Sequence, residues 1–141
     1  MWTNYLKLGS LLLMAICTAC HQNIDYIVKG DWIYINQTPH KISIQGKFEN
    51  IILPAYGQDS IQITAGEGPK NVEPSNYVSP FESKCNIIIN DTVHIAINKG
   101  SVSEVGNYKT VKVGYNHFRF TYIFTNEYIE KLLEQKQEQT L

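Results

Sequence analysis

The side chains able to do chemistry in this chain are few and widely spaced: four histidines (His21, His40, His94, His117), three cysteines (Cys17, Cys20, Cys85) and scattered carboxylates. A metal site read from sequence shows as a recognised ligand pattern such as His-Glu-x-x-His or paired Cys and His, and the four histidines form none with one another or with carboxylates. No metal or cofactor is therefore expected. His94 falls on the polar side of an alternating run and His40 in a turn, where a hydrogen-bonded or solvated ring is the ordinary role. Cys85 as a nucleophile would need a nearby base to make the thiolate; nothing adjacent supplies one, and it reads as a small apolar residue at a strand entrance. The string Gly66-Glu67-Gly68 lacks both a following glycine and the strand-to-helix setting of a phosphate-binding loop. There is no Gly-x-Ser-x-Gly elbow, Walker loop or His-Glu-x-x-His helix. No catalytic residue is assigned.

The elements around these residues begin with an export signal. Lys7 precedes an apolar run, Leu11 to Ile16, that ends in Cys17-Thr18-Ala19-Cys20. One positive charge, a short apolar core and a small-residue exit are the layout of a secretory leader, and the run is well under the ~20 residues needed to cross a bilayer. The exit resembles a bacterial lipobox, in which small residues precede a cysteine that takes a diacylglyceryl group before the leader is cut away. Thr18 and Ala19 fit that pattern, while Cys17 stands where leucine is usual; a cut before Cys17 would put bulky Ile16 next to it. The resemblance makes residues 1–19 a lipoprotein signal peptide, Cys20 the lipidation site and the membrane the first partner. Each buried methylene adds about 0.8 kcal/mol of membrane affinity. A plain signal peptide cut near Ala19 or Cys20 is the alternative.

Removing the leader leaves about 120 of the 141 residues, enough for one domain and too few for two. The formal net charge of −1 falls to about −2 without Lys7, and the basic residues form no cluster, which argues against nucleic acid as a partner. With Cys17 lost and Cys20 acylated, Cys85 has no disulfide partner, so stability rests on the core.

Residues 20–30 read as a tether and 31–134 as the folded domain. The strand pattern covers Asp31–Asn36, Lys41–Gln45, Phe48–Leu53, Asp59–Thr64, Asn86–Ile89, Val93–Ile97, Tyr108–Val113 and Phe118–Thr125. Asn36 to His40 reads as a hairpin loop between the first two runs, and Asn90-Asp91-Thr92 as the turn of the clearest hairpin. Lys109 and Lys112 suit an edge strand. Phe118, Phe120, Tyr122 and Phe124 share one face of the strongest strand, worth ~2 kcal/mol or more each when buried. Ala65 to Lys84, with Gly66, Gly68, Pro69, Pro74 and Pro80, is a long loop that Tyr77 and Phe81 either pin to the core or display, pinning being preferred. Thr125 or Asn126 caps a short helix with Tyr128, Ile129, Leu132 and Leu133 as its apolar stripe, and 135–141 is a frayed tail. The fold class is all-β: an antiparallel, immunoglobulin-like two-sheet sandwich with a C-terminal helix, a small β-barrel being the alternative.

The lipobox, the run Trp32-Ile33-Tyr34-Ile35-Asn36, the Asn90-Asp91-Thr92 turn, the loop Gly106-Asn107-Tyr108 and the ending Phe120 to Glu127 together resemble small cell-envelope lipoproteins of Bacteroidetes. That resemblance implies an outer-membrane address and an immunoglobulin-like fold, and carries no activity to any residue. Asp59-Ser60-Ile61 and Asp91-Thr92-Val93 are similar to the O-glycosylation signal of such bacteria, which would modify Ser60 and Thr92; Asp before Ser or Thr is also ordinary turn chemistry. The acidic run expected after the lipid cysteine in surface-exported members is missing from His21 to Asp25.

The functional expectation is a lipid-anchored, non-catalytic envelope module that binds a protein or glycan through loop aromatics, Tyr56, Tyr77, Tyr108 and Tyr115. The alternatives are a structural subunit pairing edge to edge and a small hydrolase, which would need a cleft with convergent polar groups.

Overall fold

Alternation decides the first strand. In β1 (Val28–Asn36), Gly30, Trp32, Tyr34 and Asn36 are buried while the residues between them are not, so one face of the strand is core. The computed structural model, which describes residues 26–66, 68, 70–82 and 84–138, continues with β2 (Ile42–Gln45), β3 (Asn50–Leu53), β4 (Gln58–Ala65), β5 (Cys85–Ile89), β6 (Val93–Ile97), β7 (Lys109–Gly114), β8 (His117–Phe124) and a helix α1 (Asn126–Glu138). Two four-stranded sheets result, ordered β4-β1-β8-β7 and β3-β2-β5-β6. They do not close into a barrel, and the fold is a two-sheet sandwich.

Three local readings are corrected. Asn36 to His40 does not join a hairpin: β1 pairs with β4 and β8, whereas β2 pairs with β3 and β5, so these residues cross from one sheet to the other. The buried Asn36 side chain holds the crossing, donating to the carbonyls of His40 (2.7 Å) and Pro54 (2.8 Å) and accepting from the Thr38 N–H (3.0 Å) and hydroxyl (2.8 Å). The first strand begins at Val28, inside the stretch expected as a tether, because Val28 to Gly30 pair with Ala65 to Ile63 of β4. The helix runs to Glu138, past the expected start of the fraying tail, because Glu, Gln and Lys are good helix formers without an apolar stripe.

Every strand pair is antiparallel except β1 with β8, which is parallel, with Trp32 beside Phe120 and Tyr34 beside Tyr122. The inner faces of these two central strands carry rings, and Trp32 stacks on Phe120 with centroids 4.2 Å apart. The facing sheet contributes aliphatic side chains, among them Ile42, Ile44, Leu53, Ile87 and Ile89, all buried. The core is thus an aromatic layer packed on an aliphatic one. α1 adds Ile129 and Leu132 to it.

The β5–β6 turn holds Asn90 (φ 51°) and Asp91 (φ 59°) in the left-handed region, which these residue types tolerate best after glycine. In the 66–84 loop, Phe81 is fully buried with its ring edge-on to Tyr34 at 5.4 Å, and Tyr77 packs on Phe118 and Phe120. Both pin the loop to the core.

Candidate functional site

Register places the start of β1 and the start of β8 side by side, Lys29 opposite His117 and Gly30 opposite Phe118, with β4 on the other flank pairing Gly30 with Ile63. Polar and aromatic side chains gather at this end of the first sheet. On its outer face Asp31 takes hydrogen bonds from Gln62 Nε2 (3.0 Å, Oδ1) and from His117 Nε2 (2.9 Å, Oδ2). Partial burial raises the Asp31 carboxyl, but the Gln62 and His117 hydrogen bonds and the nearby charges of His117 and Arg119 outweigh it and hold the carboxyl below its ordinary range. A carboxylate behind a histidine is the arrangement that orients a general base. Among the described residues, however, no hydroxyl or thiol is hydrogen-bonded to His117, so what the pair visibly does is tie β1 to β8, as Gln62 ties β1 to β4.

The rim of this end is aromatic. Tyr115, in the β7–β8 turn, is 56% exposed; its hydroxyl donates to the Lys70 carbonyl, and its ring lies 5.6 Å from that of Tyr26. Beside the rim, on the inner face, a cleft of about 240 Å³ opens between β1, β4 and the turn at Asn76, Tyr77 and Val78. Its floor is Gly30 and Trp32. A Cβ on Gly30 would stand 2.9 Å from Trp32 Nε1 and 3.5 Å from Tyr77 Cδ1, so the absence of a side chain lets the Trp32 ring close onto the β1 backbone there.

The four aromatics expected on a binding surface separate. Tyr115 is displayed. Tyr77 is half-buried, its hydroxyl donating to the Asn116 carbonyl at 2.9 Å, and it reaches the site as a wall of the cleft. Tyr56 is 71% exposed but lies at the opposite end, in the turn after β3, where its N–H donates to the Thr38 carbonyl. Tyr108 is a correction: it is buried in the core, edge-on to Trp32, with its hydroxyl donating to the Val102 carbonyl at 2.6 Å. Burial pushes that hydroxyl up to about 12, and the ring belongs to the fold.

Ser60 and Thr92 are both exposed, on β4 and in the β5–β6 turn respectively. Cys20 lies outside the described residues. Cys85 is buried, and burial pushes its thiol up to about 11, which keeps it protonated at neutral pH. His40 Nδ1 meets Asn90 Nδ2 at 2.9 Å. His94 sits on the outer face of its sheet opposite Ile88, as its alternation implied.

Sequence reasoning missed the Asp31–His117 pair and the cleft. The first joins residues brought together by a parallel pairing of the first and last strands; the second is walled by β1, β4 and the turn at Asn76 to Val78, segments far apart in the chain. Comparison of the chain with protein-family models, curated proteins and solved structures finds no match.

Proposed function

We propose that the chain is a lipid-anchored cell-envelope protein whose β domain is a non-catalytic binding module for a protein or glycan partner. The observation that carries this reading is Tyr115: an aromatic ring more than half exposed, fixed by its own hydroxyl and by the Tyr26 ring. A rigid ring offers contact area at little entropic cost, which suits a sugar face or a protein hot spot. The tether supports the placement. Residues 20–27 span at most about 3.5 Å each when extended, so acylation of Cys20 would hold the Tyr115 end within about 30 Å of the bilayer.

Two measurements test it. Mass spectrometry of the protein from cells should find Cys20 as an acylated amino terminus; an unlipidated terminus removes the anchor. The chain bearing Cys20→Ser, immobilised and passed over glycan arrays and envelope extracts, should retain a partner, and Tyr115→Ala should weaken retention by about 30-fold, the scale of an aromatic hot spot. Retention unaffected by Tyr115→Ala and Tyr26→Ala removes the binding surface.

One observation favours a structural subunit as the second reading. β4 is an eight-residue edge strand without lysine or proline, whereas the other edge of that sheet, β7, carries Lys109, Lys112 and a bulge. Lysines and bulges guard edges against pairing, and β4 lacks both. Crosslinking through residues on β4 distinguishes this reading from the first.

A further inference from the structure

We propose that the cleft at the start of β7 captures the C-terminal residue of an extended peptide, pairing its N–H and carboxylate with the backbone of Ile123 and its charge with Lys109. The site lies at the far end of β8 from Tyr115 and does not depend on the partner-binding reading. The backbone supplies its first part. The Lys29 and Gln37 N–H groups donate to the Asn116 and Phe124 carbonyls, so along residues 116–124 the even-numbered backbone groups face β1 and the odd-numbered ones face the other way. Of the latter, Arg119 and Thr121 pair with Val111 and Lys109 of β7. Ile123 lies beyond the start of that strand. Asn107, which a longer β7 would set opposite it, stands in a 3-10 turn with its N–H donating to the Glu104 carbonyl at 3.0 Å. Among the described residues nothing bonds to the Ile123 N–H or carbonyl on this side, and one rung of the ladder is left open.

The open rung gives onto a cleft of about 450 Å³ whose lining includes Ile123, Asn107 and Lys109. No carboxylate lines it, and Lys109 has no acidic partner among the described residues. The Ser101, Tyr122 and Tyr128 hydroxyls, also in the lining, are bonded to one another, and burial raises both tyrosine hydroxyls, which keeps them neutral. The Lys109 charge is therefore uncompensated. Geometry and charge then choose the occupant. An extended strand added here cannot continue past Lys109, because β7 fills the edge from that residue on. Run antiparallel to β8, it ends in a carboxylate beside the Lys109 ammonium; run parallel, it would begin there with an ammonium, which Lys109 repels. The terminal residue opposite Ile123 gives its N–H to the Ile123 carbonyl and takes the Ile123 N–H on its carboxylate, the way a peptide extends a sheet edge. Its side chain falls beside that of Ile123, which is 39% exposed, so an apolar terminal residue fits.

Nitrogen-15 NMR of the labelled full chain bearing Cys20→Ser tests this with three probes: acetyl-alanyl-alanyl-leucine as the free acid, the same tripeptide as its carboxamide, and sodium acetate. The free acid should move the Ile123 amide proton downfield, saturably. The carboxamide should bind at least about tenfold more weakly, the scale of a charge-assisted hydrogen bond, and acetate, which lacks the N–H, more weakly still. Lys109→Glu should abolish the response to the free acid; Lys109 is exposed, so the exchange leaves the core untouched. Tyr115→Ala, at the other end of β8, should change nothing, which separates this site from the proposed partner surface. The proposal is overturned by an Ile123 amide that answers no probe, by a carboxamide that binds as tightly as the acid, by a response that persists in Lys109→Glu, or by acetate matching the tripeptide acid, which would mark an adventitious ion only.

Discussion

Replacing Asn36 by alanine tests the account of how the chain changes sheets. The side chain is 1% exposed and makes five hydrogen bonds, three given to carbonyls, of which that to Leu53 is long at 3.5 Å, and two taken from Thr38. Their loss is uneven. The Pro54 carbonyl keeps the Gly57 N–H at 3.0 Å, and the Thr38 hydroxyl still has the His40 carbonyl at 3.5 Å. The Thr38 N–H is left with nothing. At about 1 kcal/mol per net bond, and up to ~3 for a buried group left unmade, the expected cost is about 3 kcal/mol, a large part of the ~5–15 kcal/mol that holds an ordinary domain together. Urea unfolding followed by circular dichroism measures it, with the midpoint falling and the slope unchanged. Thr38→Val alone should cost about 1 kcal/mol, and the double variant should cost less than the sum, because the two share bonds. A loss below about 1 kcal/mol for Asn36→Ala, or strict additivity with Thr38→Val, would show that water satisfies the crossing and that Asn36 does not organise it.

Other outcomes follow from the same structure. Phe120→Ala removes a fully buried ring that stacks on Trp32 and touches Tyr77, and should cost about 3–5 kcal/mol in chemical denaturation. Because the folded-state carboxyl of Asp31 lies below its ordinary value of 3.8, its contribution is complete above that pH and is lost as pH falls through the folded value; Asp31→Asn should flatten the acid limb of stability measured below pH 4. The Cys85 thiol, buried and pushed up to about 11, should resist iodoacetamide at pH 8 in a chain with Cys17 and Cys20 replaced by serine. It should react fully once urea unfolds the domain.

Strand positions were legible because side-chain alternation is local: Ile42 and Ile44, or Phe118 to Phe124, state their own face. Partnership was not. Nothing between Asn36 and Lys41 distinguishes a turn within one sheet from a passage between two, since both use the same polar residues; the outcome was decided by Gln58 to Ala65 and His117 to Phe124 claiming the two sides of β1. Tyr108 follows Gly106 and Asn107 and so reads as a loop aromatic, but the short 3-10 turn at Val105–Asn107 folds it inward beside the buried Val102. Tyr56 and Tyr115 were recognisable as displayed, though not as lying at opposite ends.

The parallel pairing of β1 with β8 sets a schedule. A polypeptide is made from its amino terminus, so Trp32 and Tyr34 emerge early, yet the strand that covers one whole side of theirs is the last of the eight. Until residue 124 has been delivered, β1 has no strand on that side, and Trp32 lacks the Phe120 ring on which it stacks. Assembly is therefore governed by a pairing between residues 88 positions apart, such as Lys29 and His117, a slow kind of closure, and any shortened product ending before His117 would carry an open seam down the middle of its sheet.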